Sequence, residues 1–143
     1  MTKRIVAFVI CFMLLVGFVG SYSASGVTSR QEHGVELLWE NVASIFLDMK
    51  FSNGIITSTG TVTGKSGTTA ISATFILERR NTNGTFTEVD RWTANHGSIT
   101  MLLSTSRSTR NQSAGTYRLS VIATVTRNGK LETVTGNHTT TFQ

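Results

Sequence analysis

The octapeptide Gly60-Thr-Val-Thr-Gly-Lys-Ser-Gly67 has the outline of a phosphate-cradling loop, a leading glycine followed closely by Gly-Lys-Ser. Such a loop works because four residues separate the first glycine from Gly-Lys-Ser/Thr and a helix then begins, its amides turned towards the anion. Here the spacer is Thr61-Val62-Thr63, one residue short, and Gly67-Thr-Thr-Ala-Ile-Ser-Ala73 follows, a β-branched strand pattern. The expectation is a glycine turn between two strands, with an exposed lysine and no nucleotide site.

The other side chains capable of chemistry are scattered. His33, His96 and His138 lie in unrelated segments with no second His, Cys or carboxylate at metal-ligand spacing, and are expected as exposed loop residues. No strand-turn-helix nucleophile motif is present. Alternation turns Asp48 and Asp90 outward, while Glu78 and Glu88 flank a hairpin, so no pair of carboxylates is set up for acid–base work. Trp39 and Trp92 form a sugar-stacking platform only if the fold unites them; a tryptophan packed on the core is the more frequent use. Thr57, Thr59, Thr61 and Thr63 make a one-sided row suited to ordered water or polysaccharide, although threonine is also an ordinary exposed strand residue. No motif implies a cofactor.

The elements that must position these residues begin after an export signal. Lys3 and Arg4, the uncharged run from Ile5 to Gly20 and the small residues of Ser21 to Ser25 follow the plan of a secretory signal peptide over residues 1–25. That run of 16 residues is short of the ~20 that span a bilayer, so the membrane is met only through the signal. Cys11, the single cysteine, lies inside the run, so the exported part folds without a disulfide, which suggests a bacterial route. Asn83, Asn111 and Asn137 stand in Asn-x-Ser/Thr triplets expected by chance in a chain so rich in Ser, Thr and Asn. Without Lys3 and Arg4 the formal charge is about +3, with Arg79-Arg80 the one adjacent basic pair, which is no nucleic-acid footprint.

From residue 42 onward the chain has a period of two. Ala43, Ile45, Leu47, Met49 and Phe51 alternate with polar residues, Asn53-Gly54 makes a hairpin turn, and Ile56 to Val62 returns. Ile71, Ala73, Phe75 and Leu77 share a face, and the three-residue spacing of Phe86, Val89 and Trp92 implies a bulge or a change of face. Ile99, Met101 and Leu103 mark another strand. Tyr117, Leu119, Val121, Ala123 and Val125 mark the clearest, with Asn128-Gly129 turning it into Leu131 to Phe142. One helical piece is expected around Val35 to Trp39, within an arm over residues 26–41. Seven short strands with turn signals between them predict an all-β antiparallel sandwich over residues 42–143. Gly115-x-Tyr117 fits a tyrosine corner, its hydroxyl bonding backbone near Asn111 to Ser113.

The segment Phe75 to Trp92, with Gly115-Thr-Tyr-Arg-Leu119 and Arg127-Asn-Gly-Lys-Leu-Glu-Thr133, resembles a group of small secreted proteins of Gram-positive, often gut-dwelling, bacteria. The shared pattern is Leu77-x-Arg79-x-x-x-Asn83-Gly84-x-Phe86-x-x-Val89-x-x-Trp92 followed by Gly115-x-Tyr117-Arg118, across roughly residues 43 to 142. Phe86 stands where the group often has Trp, and two extra residues precede Asn83. The resemblance implies a seven-stranded immunoglobulin-like or fibronectin type III-like β-sandwich, with Leu77, Trp92, Gly115 and Tyr117 as framework residues, and it brings no activity with it. The expected function is therefore a secreted, extracellular, non-enzymatic module with a protein or glycan partner at the cell surface, bound by end loops or an exposed strand edge. The rivals are a small secreted hydrolase or toxin built on loop residues such as His96, Asp90 and Ser98, and a dedicated glycan-binding module.

Overall fold

The computed structural model describes residues 39–97 and 101–143. The signal segment, the arm up to residue 38 with most of the expected helical piece, and Ser98, Ile99 and Thr100 lie outside the described residues. Seven antiparallel strands follow one another: β1 (Val42–Ser52), β2 (Ile55–Gly64), β3 (Thr68–Arg80), β4 (Phe86–Gly97), β5 (Leu102–Thr109), β6 (Gly115–Arg127) and β7 (Lys130–Phe142). They form two sheets, ordered β1-β2-β5 and β4-β3-β6-β7. In a constant-type immunoglobulin domain the fourth strand joins the first sheet; here it sits beside the third, the fibronectin type III-like of the two arrangements the sequence left open.

Local chemistry explains the hairpins. Asn53 and Gly54 (φ 50° and 73°) and Asn128 and Gly129 (φ 49° and 76°) give the double positive φ of a type I′ turn, whose twist matches that of the flanking strands. The inner faces then alternate as the period of two demands. Ile56 and Val62 from β2 meet Ile71, Ala73, Phe75 and Leu77 from β3 and Tyr117, Leu119, Val121, Ala123 and Val125 from β6, all buried. Phe75 stacks on Trp92 with ring centroids 5.3 Å apart. A Cβ added at Gly60 would lie 2.1 Å from Phe75 Cε1, so the bare backbone of β2 is where that ring fits.

Three bulges shift the register, one of them at the start of β3, where Thr68 faces Arg127 and Ala70 faces Thr126, leaving Thr69 as the extra residue. Between Val42 and Ser44 the β1–β2 pairing slips, so Val42 enters the core and Ala43 is exposed, against the expected alternation. In β4, Leu77 faces Asp90 while Glu78 faces Glu88, leaving Val89 as the extra residue. That slip overturns the outward placement of Asp90: it shares the inner-face register of Trp92, half-buried at the edge of the sheet. β5 also differs from expectation. It starts at Leu102 after an exposed Met101, only Leu103 of it reaches the core, and pairing with β2 holds it in place.

The segment leading into β1 is fastened at the end of the sandwich that carries the β2–β3 and β6–β7 turns. The Glu132 carboxylate accepts the backbone N–H groups of Glu40 (2.8 Å), Asn41 (2.7 Å) and Val42 (3.3 Å). Asn41, 5% exposed, donates its side-chain amide to the carbonyls of Val125 and Lys130, both at 3.1 Å. The Lys65 backbone N–H donates to the Asn41 carbonyl (2.8 Å), and its ammonium bonds the Trp39 carbonyl. Glu40 and Asn41 thus belong structurally to the sandwich. At the opposite end the buried Tyr117 hydroxyl donates to the Ser113 carbonyl at 2.8 Å.

Tyr117→Phe is expected to cost about 1 kcal/mol, the net value of one hydrogen bond, and Tyr117→Ala roughly 3–5 kcal/mol for truncating a core aromatic, read as shifts in urea midpoint. Burial works to raise the Glu132 pKa, but the three amide donors and Lys65 outweigh it and hold the carboxylate below its ordinary range. A lowered folded-state pKa gives stability that is complete above the ordinary glutamate range and lost as the pH falls through the lowered value. Glu132→Gln should lower stability at neutral pH by on the order of 1 kcal/mol, discounted for partial solvent exposure, and flatten the acid limb of a stability–pH profile.

Candidate functional site

The structure does not unite the residues that hinted at catalysis. Asp90 and His96 lie six positions apart along β4, about 20 Å at the rise of an extended strand. Asp90 is engaged elsewhere, accepting from Arg107 Nε (3.1 Å), the Thr109 hydroxyl (2.8 Å) and the Arg91 backbone N–H (2.8 Å). Burial pushes its pKa up, yet these donors prevail and the carboxylate stays ionised below its usual range. Ser98 lies outside the described residues. His96 is an exposed strand residue, and His138 is half-buried in β7, its Nε2 2.8 Å from the Thr140 hydroxyl; neither occupies the loop expected of it. Among the described residues no group of three His, Cys, Asp or Glu side chains is placed to hold a metal ion.

The tryptophans serve the interior. Trp92 packs on Phe75, and Trp39 packs against the core beside the β2–β3 turn, so they do not form one platform. Gly60-Thr-Val-Thr-Gly-Lys-Ser-Gly67 is the end of β2 and the turn into β3, with Lys65 spent on the Trp39 carbonyl. Leu77 is buried opposite Asp90, and Gly115 opens β6 beneath the Arg79 guanidinium. The threonine row of β2 does face outward. It is joined by a serine row of β5 that sequence reasoning missed, with Thr61 and Ser104 hydroxyls 3.1 Å apart and Thr59–Ser106 and Thr57–Ser108 at 3.5 Å. The alternating serines of Leu102 to Thr109 were the available signal.

Topology creates a second cluster, at the end bearing the β1–β2 turn, the β3–β4 loop and the β5–β6 loop. β3 and β5 end here and β4 and β6 begin, so Arg79, Arg80, Arg107, Arg110 and Arg118 come together from distant parts of the sequence. Three carboxylates answer three arginines: Glu88 with Arg91 (2.6 Å), Glu78 with Arg118 (2.7 Å) and Asp90 with Arg107 (3.1 Å). The Arg91 hydrogen bond holds Glu88 below its usual range, and the Glu78 bond raises Arg118. The Arg118 guanidinium also lies 4.0 Å above the Phe86 ring. Arg79 donates to the Ala114 carbonyl at 3.3 Å and covers Tyr117. Arg80 and Arg110 have no carboxylate partner among the described residues, so this end presents uncompensated positive charge.

Arg80 lies in a shallow surface groove lined by Asn81, Thr82, Gly84 and Thr116. The loop over it is cross-braced. Asn81 donates its side-chain amide to the hydroxyls of Thr85 (2.9 Å) and Thr87 (2.8 Å), and Asn83 Oδ1 accepts both the backbone N–H (3.0 Å) and the hydroxyl (2.6 Å) of Thr85. Backbone bonds between Asn81 and Thr85 (2.7 Å) and Gly84 and Asn81 (3.0 Å) close it. The arrangement sets an arginine beside a braced loop of amides and hydroxyls, a combination suited to meeting an anion. Sequence reasoning set Arg79-Arg80 aside because nothing local adds to the pair; the supporting groups arrive only through the fold.

No family model matches the chain. No curated protein matches it. Among solved structures, the chain is similar to CsgH of R. palustris, with 16% identity, a TM-score of 0.40, and coverage of 66% of this chain and 88% of that one. It is also similar to a part of Bacteroides uniformis β-glucuronidase 2, in a structure covalently bound to cyclophellitol-6-carboxylate aziridine, at 14% identity and a TM-score of 0.44. That match covers 68% of this chain and 13% of the glucuronidase.

Asn81→Ala removes two cross-braces from an exposed loop. It should leave global stability within about 1 kcal/mol while speeding hydrogen exchange at the Gly84 and Thr85 amides, which amide-resolved exchange would register.

Proposed function

We propose that the protein is an exported, non-catalytic binding module that holds an acidic glycan at the arginine-bearing end of its sandwich. The observation that carries this reading is Arg80, a guanidinium without a counter-ion among the described residues, set in a groove of amide and hydroxyl groups. Guanidinium matches a carboxylate in a planar two-bond fork. The Asn81 amide protons are committed to Thr85 and Thr87 and the Thr116 hydroxyl is paired with Thr141, so Asn81 Oδ1 and the Thr82 hydroxyl are the groups left to meet sugar hydroxyls. The groove is open to solvent and encloses nothing, which suits contact with part of a larger ligand more than burial of a small one. The braced loop limits the ordering cost of binding.

Export is part of the same proposal and rests on the basic, apolar and small-residue succession of the first 25 residues. A place at the surface of a Gram-positive bacterium rests on the sequence resemblance. The non-catalytic assignment is supported by the separation of Asp90 from His96 and by the engagement of each carboxylate near the groove with an arginine.

Calorimetry with polygalacturonate and with its neutral methyl ester tests the proposal. The acidic polymer should bind, more weakly as salt rises, and the ester should not. Arg80→Ala should weaken binding roughly tenfold, equivalent to about 1.4 kcal/mol, with Arg80→Lys intermediate. Equal binding of both polymers, or an Arg80→Ala protein that binds like the wild type, overturns it.

A further inference from the structure

We infer that β7 is a self-association edge, pairing antiparallel with β7 of a second copy of this chain to join the two four-stranded sheets. The four sheet edges differ in how they are protected. β1 carries a bulge at Ala43 and the charges Asp48 and Lys50; β4 carries a bulge at Val89 among Glu88, Asp90 and Arg91. β5 has eight residues and an arginine. Bulges, charges and shortness are the devices that stop a strand edge from recruiting another. β7 has none of them along most of its length: it pairs with β6 from Lys130 to Phe142 without a register shift, and Thr133 to Phe142 contains no charge and no proline.

Hairpin geometry fixes which backbone groups are free. In a two-residue type I′ hairpin the flanking residues, Arg127 and Lys130, exchange hydrogen bonds. Bonding then alternates along the ladder, so the even-numbered residues of β7 address β6 and the odd-numbered ones point N–H and C=O away. A second β7 must therefore pair odd with odd. A two-fold axis through Asn137 does so, and sets Thr135 against Thr139 and Thr133 against Thr141 of the other copy.

The side chains in that register are self-complementary. Thr133, Thr135, Asn137, Thr139 and Thr141 are all exposed on the outer face. Thr–Thr pairs of this kind already tie β6 to β7, at Thr124–Thr133 (3.0 Å) and Thr116–Thr141 (2.9 Å). Glu132 falls opposite Phe142 of the other copy, so no like charges meet from Glu132 to Phe142. On the inner face Ile45 closes against Gly136, so a partner approaches along the edge.

Analytical ultracentrifugation from micromolar to millimolar concentration reads the outcome. The wild-type chain should shift from monomer to dimer. Asn137→Lys, at an exposed position, sets two lysines together on the axis and should stay monomeric with unchanged circular dichroism. Thr135→Lys combined with Thr139→Glu places opposite charges across the edge and should dimerise, whereas Thr135→Lys with Thr139→Lys should not. A wild-type chain that stays monomeric throughout, or an Asn137→Lys protein that dimerises like the wild type, overturns the inference.

Discussion

The two sheets are held at their separation by one ring lying on one bare stretch of backbone. Phe75 occupies the space a side chain at position 60 would need, and Trp92 stacks on Phe75 within the four-stranded sheet. The neighbouring inner-face residues of β2, β3 and β6 pack around that approach, because side chains must fill whatever gap it leaves at the density of a crystal. Among the described residues, Ser58 Oγ and Trp92 Nε1 are buried beside this contact without a protein hydrogen-bond partner. A residue with a Cβ at position 60 would force Phe75 aside and disturb the register by which both sheets present their loops.

The strands were legible because their signals are local. Alternation in Ile71 to Leu77 and in Tyr117 to Val125 reports one buried face, and an Asn-Gly pair reports a turn requiring positive φ, whatever the rest of the chain does. The bulges were only half legible. The spacing of Phe86, Val89 and Trp92 signalled an irregularity, but not that Asp90 would fall on the inner side of it. At Ala43 the sequence carried no sign at all, since Val42 and Ala43 are both apolar. A bulge depends on which partner residue each backbone group meets, and that partner belongs to another strand. The arginine cluster was illegible for the same reason on a larger scale. Arg80 and Thr116 line one groove because β3 and β6 are neighbours, a fact of sheet order rather than of spacing.

The two ends of the sandwich use polar groups in opposite ways. Where β1 begins, Glu132, Lys65 and Arg127 are consumed by main-chain atoms: three N–H groups, the Trp39 carbonyl and the Ser66 carbonyl (2.7 Å). Such groups cannot also recruit a ligand without releasing the segment they fasten. At the other end, ion pairs neutralise the carboxylates while Arg80 and Arg110 have no carboxylate partner among the described residues. Arginine fits that use, because its planar fork retains directional donors even when its charge is solvated. One end spends its polar groups on the segment that enters β1, and the other carries arginines beyond those its carboxylates pair.

If β7 pairs with itself, the two features gain from each other by geometry alone. Arg80 lies beside Thr116, whose partner on β7 is Thr141, four positions from the axis at Asn137. Two copies would then present their grooves on one continuous sheet face, with five strand spacings of about 4.8 Å between the two β3 strands and an offset of about 27 Å along them. The grooves would stand about 35 Å apart, pointing in opposite directions along the strands. A small acid would gain nothing from this, since each groove would bind it independently. A polymer long enough to cross the joined sheet would be held at both ends, the second contact forming at the high effective concentration set by the first. A shallow groove with one guanidinium lacking a carboxylate partner among the described residues would hold an acid weakly by itself, and pairing two on one sheet would be the physical route by which the proposed site gained affinity.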